Sequence, residues 1–206
     1  MQYQFAKILP CGRRLYSRNL FLRRLVRKDS AELMELIAEN RAFLGSWFPP
    51  FPEPINQGLV AEWISQEHKL LQNSSRVDLG IFLEKTNRLI GRVSLHTILL
   101  GIQRSASISY WVAEKYGGNG YATEAAATLT AFTFEELHLH RVCADVSLKN
   151  KPSLAICQKL GFRNEGLSKK SLFIDGSWQD TFSFALLEEE YDQIAEKWIK
   201  KGYLGV

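Results

Sequence analysis

Cysteine is scarce in this chain: Cys11, Cys143 and Cys157 stand far apart, with no C-x-x-C pair among them. An odd, scattered set supports neither a disulfide framework nor a zinc pattern, so a reduced, metal-free protein is expected. His138 and His140 lie two apart, but no neighbouring cysteine or carboxylate pattern completes a ligand set. Long apolar runs are missing too. Nothing approaches the roughly 18 consecutive apolar residues of a membrane span, and the basic N-terminal stretch has no signal-peptide core, so the cytoplasm is the expected location. Net charge is small, +4. The basic residues are spread out apart from Lys7, Arg13, Arg14, Arg18, Arg23 and Arg24, and charge alone names no partner.

What is present suits a folded α/β protein. The 206 residues are 46% hydrophobic and 23% charged, well away from the composition of disorder, and one domain over residues 1–206 is expected. Residues 1–18 read as an N-terminal extension, a strand or an arm. Leu20 to Leu25 alternates as a strand does. Asp29 stands three residues before Glu32 in a capping-box arrangement, and Leu33, Leu36, Ile37 and Ala38 follow at helical spacing. The segment FPPFPEP at 48–54 holds four prolines and must be a loop between helices, the second running from about Ile55 to Leu71. Two β-rich runs flank Lys85-Thr86-Asn87, and a third begins at Ala106, giving an antiparallel meander. Tyr121 to Leu137 reads as a crossover helix, and RVCADVSL as a strand parallel to the one before the helix. Asn150 and Pro152 open a short helix that Gly161 stops. Asp175-Gly176 turns a final hairpin, and Glu188 to Lys201 closes the chain as an amphipathic helix.

The stretch WVAEKYGGNGYATEAAATLTAF, 111–132, places Gly117, Gly118 and Gly120 between a strand and a helix. It lacks the Gly-Lys-Ser/Thr of a nucleoside triphosphatase loop. A dinucleotide fingerprint is met only in part: Gly118 and Gly120 supply G-x-G after a strand and Asp145 lies near the end of the next strand, but the third glycine falls at Thr123 and a meander precedes the unit. Glycines let a backbone approach a ligand closely, and a helix N-terminus adds unpaired N–H donors and partial positive charge. The alternative is a tight strand-to-helix turn, which explains one glycine more readily than three in four residues. The loop therefore reads as a phosphate cradle.

The pieces YGGNGYATEA, FEELHLHRV, NKPSLAICQKLGFRNEG and IDGSWQD, in this order, resemble the Gcn5-related N-acetyltransferase (GNAT) family, in particular its ribosomal-protein-alanine N-acetyltransferase branch. AENRAFLGSW, near the N-terminus, is similar to that branch's acceptor-side helix. The resemblance implies a mixed, twisted sheet of about seven strands flanked by helices. The strands around Tyr110 and Ala144 would splay apart, with acetyl-CoA in the gap. It puts the coenzyme A pyrophosphate on Tyr116, Gly117, Gly118, Asn119, Gly120, Tyr121, Ala122 and Thr123; Lys115 departs from the usual first residue of that loop pattern. Main-chain groups near Trp111 and Val112 would hold the thioester and pantetheine arm. Asn150 would orient cofactor or substrate, and Ser153 would bond to or protonate the departing sulfur.

Both of those residues also suit a plain helix cap. Ser107 and Leu172 occupy the two places where relatives carry a catalytic acid. An α-amine titrates near about 7.7–8.0 and a lysine near about 10.4, so the missing base favours an α-amine acceptor. Glu39, Asn40, Trp47 and His96 are candidate acceptor-binding residues. The implied acceptor is a protein N-terminus, that of a ribosomal protein included, or a small amine, and monomer and homodimer stay open. Two other functions remain in view: an acetyl-CoA-binding module with little activity, and a dinucleotide-dependent oxidoreductase.

Overall fold

The computed structural model describes residues 4–205. Its strands are β1 (Leu15–Tyr16), β2 (Leu20–Arg23), β3 (Val77–Leu83), β4 (Leu89–Leu99), β5 (Ser105–Val112), β6 (Arg141–Ser147), β7 (Arg163–Ile174) and β8 (Ser177–Leu187). They form one mixed sheet ordered β1-β2-β3-β4-β5-β6-β8-β7, so there are eight strands where about seven were expected. The extra short strand is β1, within the N-terminal extension. Among the described residues only β5 and β6 pair in parallel, as a strand-helix-strand crossover requires. The helices are α1 (Phe5–Ile8), α2 (Ser30–Glu39), α3 (Arg41–Gly45), α4 (Gln57–Gln72), α5 (Tyr121–Glu135), α6 (Lys151–Lys159) and α7 (Glu188–Lys200).

Local signals set most of these ends. Asn56 accepts the Leu59 N–H and starts α4 two residues later than expected. The Asp175-Gly176 turn has both residues at positive φ, as a tight two-residue hairpin loop demands. The capping box expected at Asp29 and Glu32 does not form. Asp29 instead takes a two-pronged bond from Arg23 and one from the Val26 N–H, while Glu32 reaches across to the Leu89 N–H. Tertiary partners displace the local cap there.

The sheet buries its two faces differently. Helix α5 lies on one face, where Ala125, Ala126, Ala127, Leu129 and Ala131 pack with Val93, Leu95, Ala106, Ile108, Val142 and Ala144. Twelve of its residues are buried, so it is a core helix, and its small side chains let it sit close to the strands. Thr128 and Thr133 satisfy their hydroxyls on the helix's own carbonyls. Helices α2 and α4 cover only the β2–β4 part of the other face, around Phe21, Leu33, Ile37, Val60, Ile64 and Phe82. The β5–β6 part of that face is left open to solvent and loops.

Glu124, in the first turn of α5, is 4% exposed. Its carboxylate accepts bonds from Ser17 Oγ (2.7 Å), the Asn19 N–H (2.6 Å) and Asn19 Nδ2 (3.0 Å), and the positive helix end favours its charge. The turn between β1 and β2 is thereby tied to the start of α5. Glu124→Ala leaves these donors unpaired and is expected to lower the unfolding free energy by about 2–4 kcal/mol, read from urea denaturation. A change below 0.5 kcal/mol, on the order of an ordinary surface substitution, would refute this role.

Candidate active site

Strands β5 and β6 share three rungs, Ser105↔Arg141, Ala106↔Val142 and Ser107↔Cys143, and then part. Beyond that point β4 holds β5 as far as Val112, and β8 holds β6 as far as Ser147. Each strand keeps its outer ladder and loses its inner one. Register decides which groups are exposed as a result. The Ala113 N–H bonds to the Ile90 carbonyl at 2.8 Å, and antiparallel bonding alternates, so Trp111 and Ser109 also point their main-chain groups at β4. Tyr110 and Val112 therefore turn theirs into the gap. Gly91 permits the close crossing here, since a Cβ on it would lie 2.1 Å from the Trp111 carbonyl oxygen.

The gap opens into a cleft of about 500 Å³. At its mouth, a short 3-10 turn, Glu114–Tyr116, leads into the glycines. Gly118 and Gly120 have φ of +77° and +82°, a region side chains disfavour, and Gly120 caps α5 in this left-handed conformation. Gly117 is extended; its N–H is used by the Glu114 carbonyl, and a Cβ would crowd that same oxygen at 3.0 Å. The Asn119 side chain donates to the carbonyls of Tyr116 and Gly117. Among the described residues, no hydrogen bond uses the N–H groups from Gly118 to Thr123. The carbonyls of Tyr116, Gly117 and Gly120 are engaged while the N–H groups from Gly118 onward stand free, beside the positive end of a 15-residue helix. That arrangement suits an anion such as a diphosphate.

Across the cleft, Asn150 caps α6 by accepting the Ser153 N–H at 3.1 Å. Ser153 Oγ lies 3.0 Å from the Tyr110 hydroxyl. Burial, with Cys157 alongside, pushes the Tyr110 phenol far above its ordinary range, so it keeps its proton. Burial also pushes the Cys157 thiol up to about 12, and the residue is 3% exposed; it is no nucleophile. Ser153 and Tyr110 thus form a protonated hydroxyl pair at the cleft wall.

The cleft lining brings together Trp111, Val112, Tyr116, Gly117, Gly118, Gly120, Tyr121, Ala122, Thr123, Asn150, Ser153 and Trp47 from the expected residues. Trp111 contributes its side chain, because its N–H faces β4. Asn119 lies on the same loop. Glu39 and Asn40 lie elsewhere. Glu39 pairs with Lys115 on the surface, and buried Asn40 spends its side chain on the Leu36 carbonyl and the Glu114 N–H. Asn40 is a strut beneath the loop. His96 is half-buried on β4, off the cleft lining, with Thr97 as its hydrogen-bond neighbour. Ser107 is likewise off the lining, whereas Leu172 is on it with Ile174. Trp178 is 61% exposed against Phe173 at the hairpin tip. Sequence reading missed Phe43 and Phe48, which join Trp47 in an aromatic wall, and weighed Asp145, also on the lining, only as the acid of a dinucleotide fingerprint. The spacing of Phe43, Trp47 and Phe48 within one helix and turn was the available signal.

A family model described as an acetyltransferase (GNAT) domain matches residues 19–163. The chain is 29% identical over 182 residues to the [ribosomal protein uS5]-alanine N-acetyltransferase of Escherichia coli (strain K12), covering 86% of this chain and 92% of that protein. It is 39% identical over 142 residues to the uncharacterized N-acetyltransferase YnaD of Bacillus subtilis (strain 168), covering 67% and 81%. Among solved structures, Mycobacterium smegmatis RimJ in complex with CoA-disulfide superposes with a TM-score of 0.81 at 28% identity, covering 93% of this chain and 94% of that one.

The protonation states above are directly testable. At pH 8, iodoacetamide is expected to modify exposed Cys11 in the native protein and to leave Cys157 untouched, as peptide mass mapping would report. Labelling of Cys157 without unfolding would contradict the assigned environment.

Proposed function

The chain belongs to the GNAT acetyltransferase family, and on that premise we propose that it moves an acetyl group from acetyl-CoA to the α-amine of a protein N-terminus, with ribosomal proteins the first acceptors to try. Membership displaces the dinucleotide-oxidoreductase reading. The observation that carries the proposal is the row of free N–H donors from Gly118 to Thr123, adjoining a strand edge whose own N–H and C=O groups look into the cleft. A diphosphate fits the first and an amide-bearing pantetheine arm fits the second.

Acyl transfer needs a polarised thioester carbonyl, a neutral amine and a proton for the leaving thiolate. In this reading the gap-facing N–H groups of Tyr110 and Val112 are the carbonyl donors, fixed in place by the β4 ladder. Ser153 donates to the sulfur, and Tyr110, kept protonated by burial, supports the serine. Asn150 sets the first turn that carries Ser153. Phe43, Trp47, Phe48, Leu172 and Ile174 make the acceptor side apolar. An apolar wall disfavours a long, strongly hydrated lysine ammonium more than an α-amine, which is closer to neutrality at pH 7. The E. coli relative's name, that of an alanine N-acetyltransferase, agrees with this choice.

Thiol release from acetyl-CoA, measured at pH 7 with peptides of ribosomal N-termini, tests the reading. Free α-amine peptides are expected to support turnover at least tenfold above Nα-blocked, lysine-containing ones. Release with lysine peptides alone, or binding of acetyl-CoA with no release on any amine, would reject it. The second result would restore the view of a binding module. Ser153→Ala is expected to lower kcat by about 10–100-fold while coenzyme A affinity, from titration calorimetry, stays within about twofold. An unchanged kcat would remove Ser153 from the proton path.

A further inference from the structure

Residues opposite one another in register share a face of the sheet. Ser107 pairs with His96 on one side and with Cys143 on the other. All three therefore belong to the face turned away from α5. Ser109 and Asp145, each two residues further on, are the first side chains on that face past the last β5–β6 rung, and both line the cleft. Ser153 and Tyr110 border the same opening from the α5 side, since Tyr110 alternates with Trp111 and packs with the α5 core. The opening thus has hydroxyl donors behind it and a carboxylate in front.

Asp145 is exposed, and Ser183 Oγ donates to its Oδ1 at 2.7 Å. Among the described residues it has no ion-pair partner. The cation in its own row, Arg141, is engaged by Glu165. His96 is close enough for the two charges to interact; burial first, then Arg76, lowers the imidazole's affinity for protons, so it stays neutral near pH 7. Lys159, the cation on the cleft lining, makes no ion pair with the carboxylate among the described residues. Glu114, the other carboxylate on the lining, sits past Val112 at the turn into the phosphate loop, at the far end of the gap from the last rung.

We propose that Asp145 receives the acceptor's ammonium in the cleft and takes its proton. The inference rests on the acetyl-transfer reading above and supplies the base that Ser107 and Leu172 lack. The ammonium passes one proton to the free oxygen of Asp145, which returns it to solvent. The nitrogen lone pair then forms the C–N bond as the carbonyl π pair moves onto oxygen. That pair returns, the C–S bond breaks, and sulfur departs with its electrons and takes the Ser153 hydroxyl proton. The remaining excess proton on nitrogen returns through water to Ser153 Oγ. One proton is released per amide formed.

Asp145→Asn keeps an oxygen for Ser183 and removes the base. With a free α-amine peptide, kcat is expected to fall about 100-fold while the acetyl-CoA dissociation constant stays within about twofold. A second acceptor, an aminooxy-capped peptide already neutral at pH 7, is expected to lose less than about fivefold, because it needs no base for activation. Equal losses on the two acceptors, or none on either, would overturn the assignment and leave the transferase reading standing. Asp145→Glu, which restores a carboxylate one methylene away, is expected to regain about tenfold of the loss and separates charge from packing. If the unaltered protein binds acetyl-CoA yet releases no thiol with any amine, the transferase reading fails and this inference with it.

Discussion

The early parting of β5 and β6 is the constraint on which the rest of this molecule depends. A parallel pair that stops after three rungs leaves main-chain donors and acceptors on two inner strands without partners, and such groups are costly to hide from water. The sheet tolerates the break because each strand is held on its outer side, by β4 and by β8. A polar ligand of extended shape can complete the interrupted ladder. The glycine loop, the start of α5 and the start of α6 all converge on this break, so free amide donors, an unpaired strand edge and the Ser153 hydroxyl fall within one opening.

The division of labour between the two faces follows from what covers them. Helix α5 seals one face with alanine and leucine and brings its N-terminus to the cleft mouth. The other face is covered by α2 and α4 only as far as β4. A buried network there, in which Arg92 bonds to Glu67 and Asp78 while Ser94 and Arg76 also bond to Asp78, anchors α4 to the strands. Past it the face is open, with Ser107, Ser109 and Cys143 half-buried and Asp145 exposed where a core would otherwise be. An acceptor can approach from there without displacing any part of the core.

Much of this was legible in the residues. Glycines at 117, 118 and 120, Asn150 at a helix start and Asp175-Gly176 at a turn act through local torsions, and local torsions are what a linear sequence encodes most directly. The chemistry of the acceptor side was less accessible. Phe43, Asp145 and Leu172 are far apart in the chain, on α3, β6 and β7, and line one cleft only once the chain has folded. Whether Trp111 or Val112 faces the gap is a matter of register, set by one bond between Ala113 and Ile90. Asp29, Glu32 and Asn40 misled for the same reason. Each has side-chain atoms suited to a nearby role, and each found a stronger distant or structural partner.

On the reading proposed above, the glycine loop holds a diphosphate with peptide amides and not with side chains, and this bears on how the protein can diverge. A lysine or arginine clamp is lost with a single codon change, but an amide persists through any replacement that keeps the fold of the chain. The glycines themselves resist exchange, Gly118 and Gly120 by their left-handed torsions and Gly117 by the crowding of the Glu114 carbonyl. Lineages can therefore rewrite most of this surface while retaining the same donor, which leaves selection free to reshape the acceptor wall from one enzyme to the next.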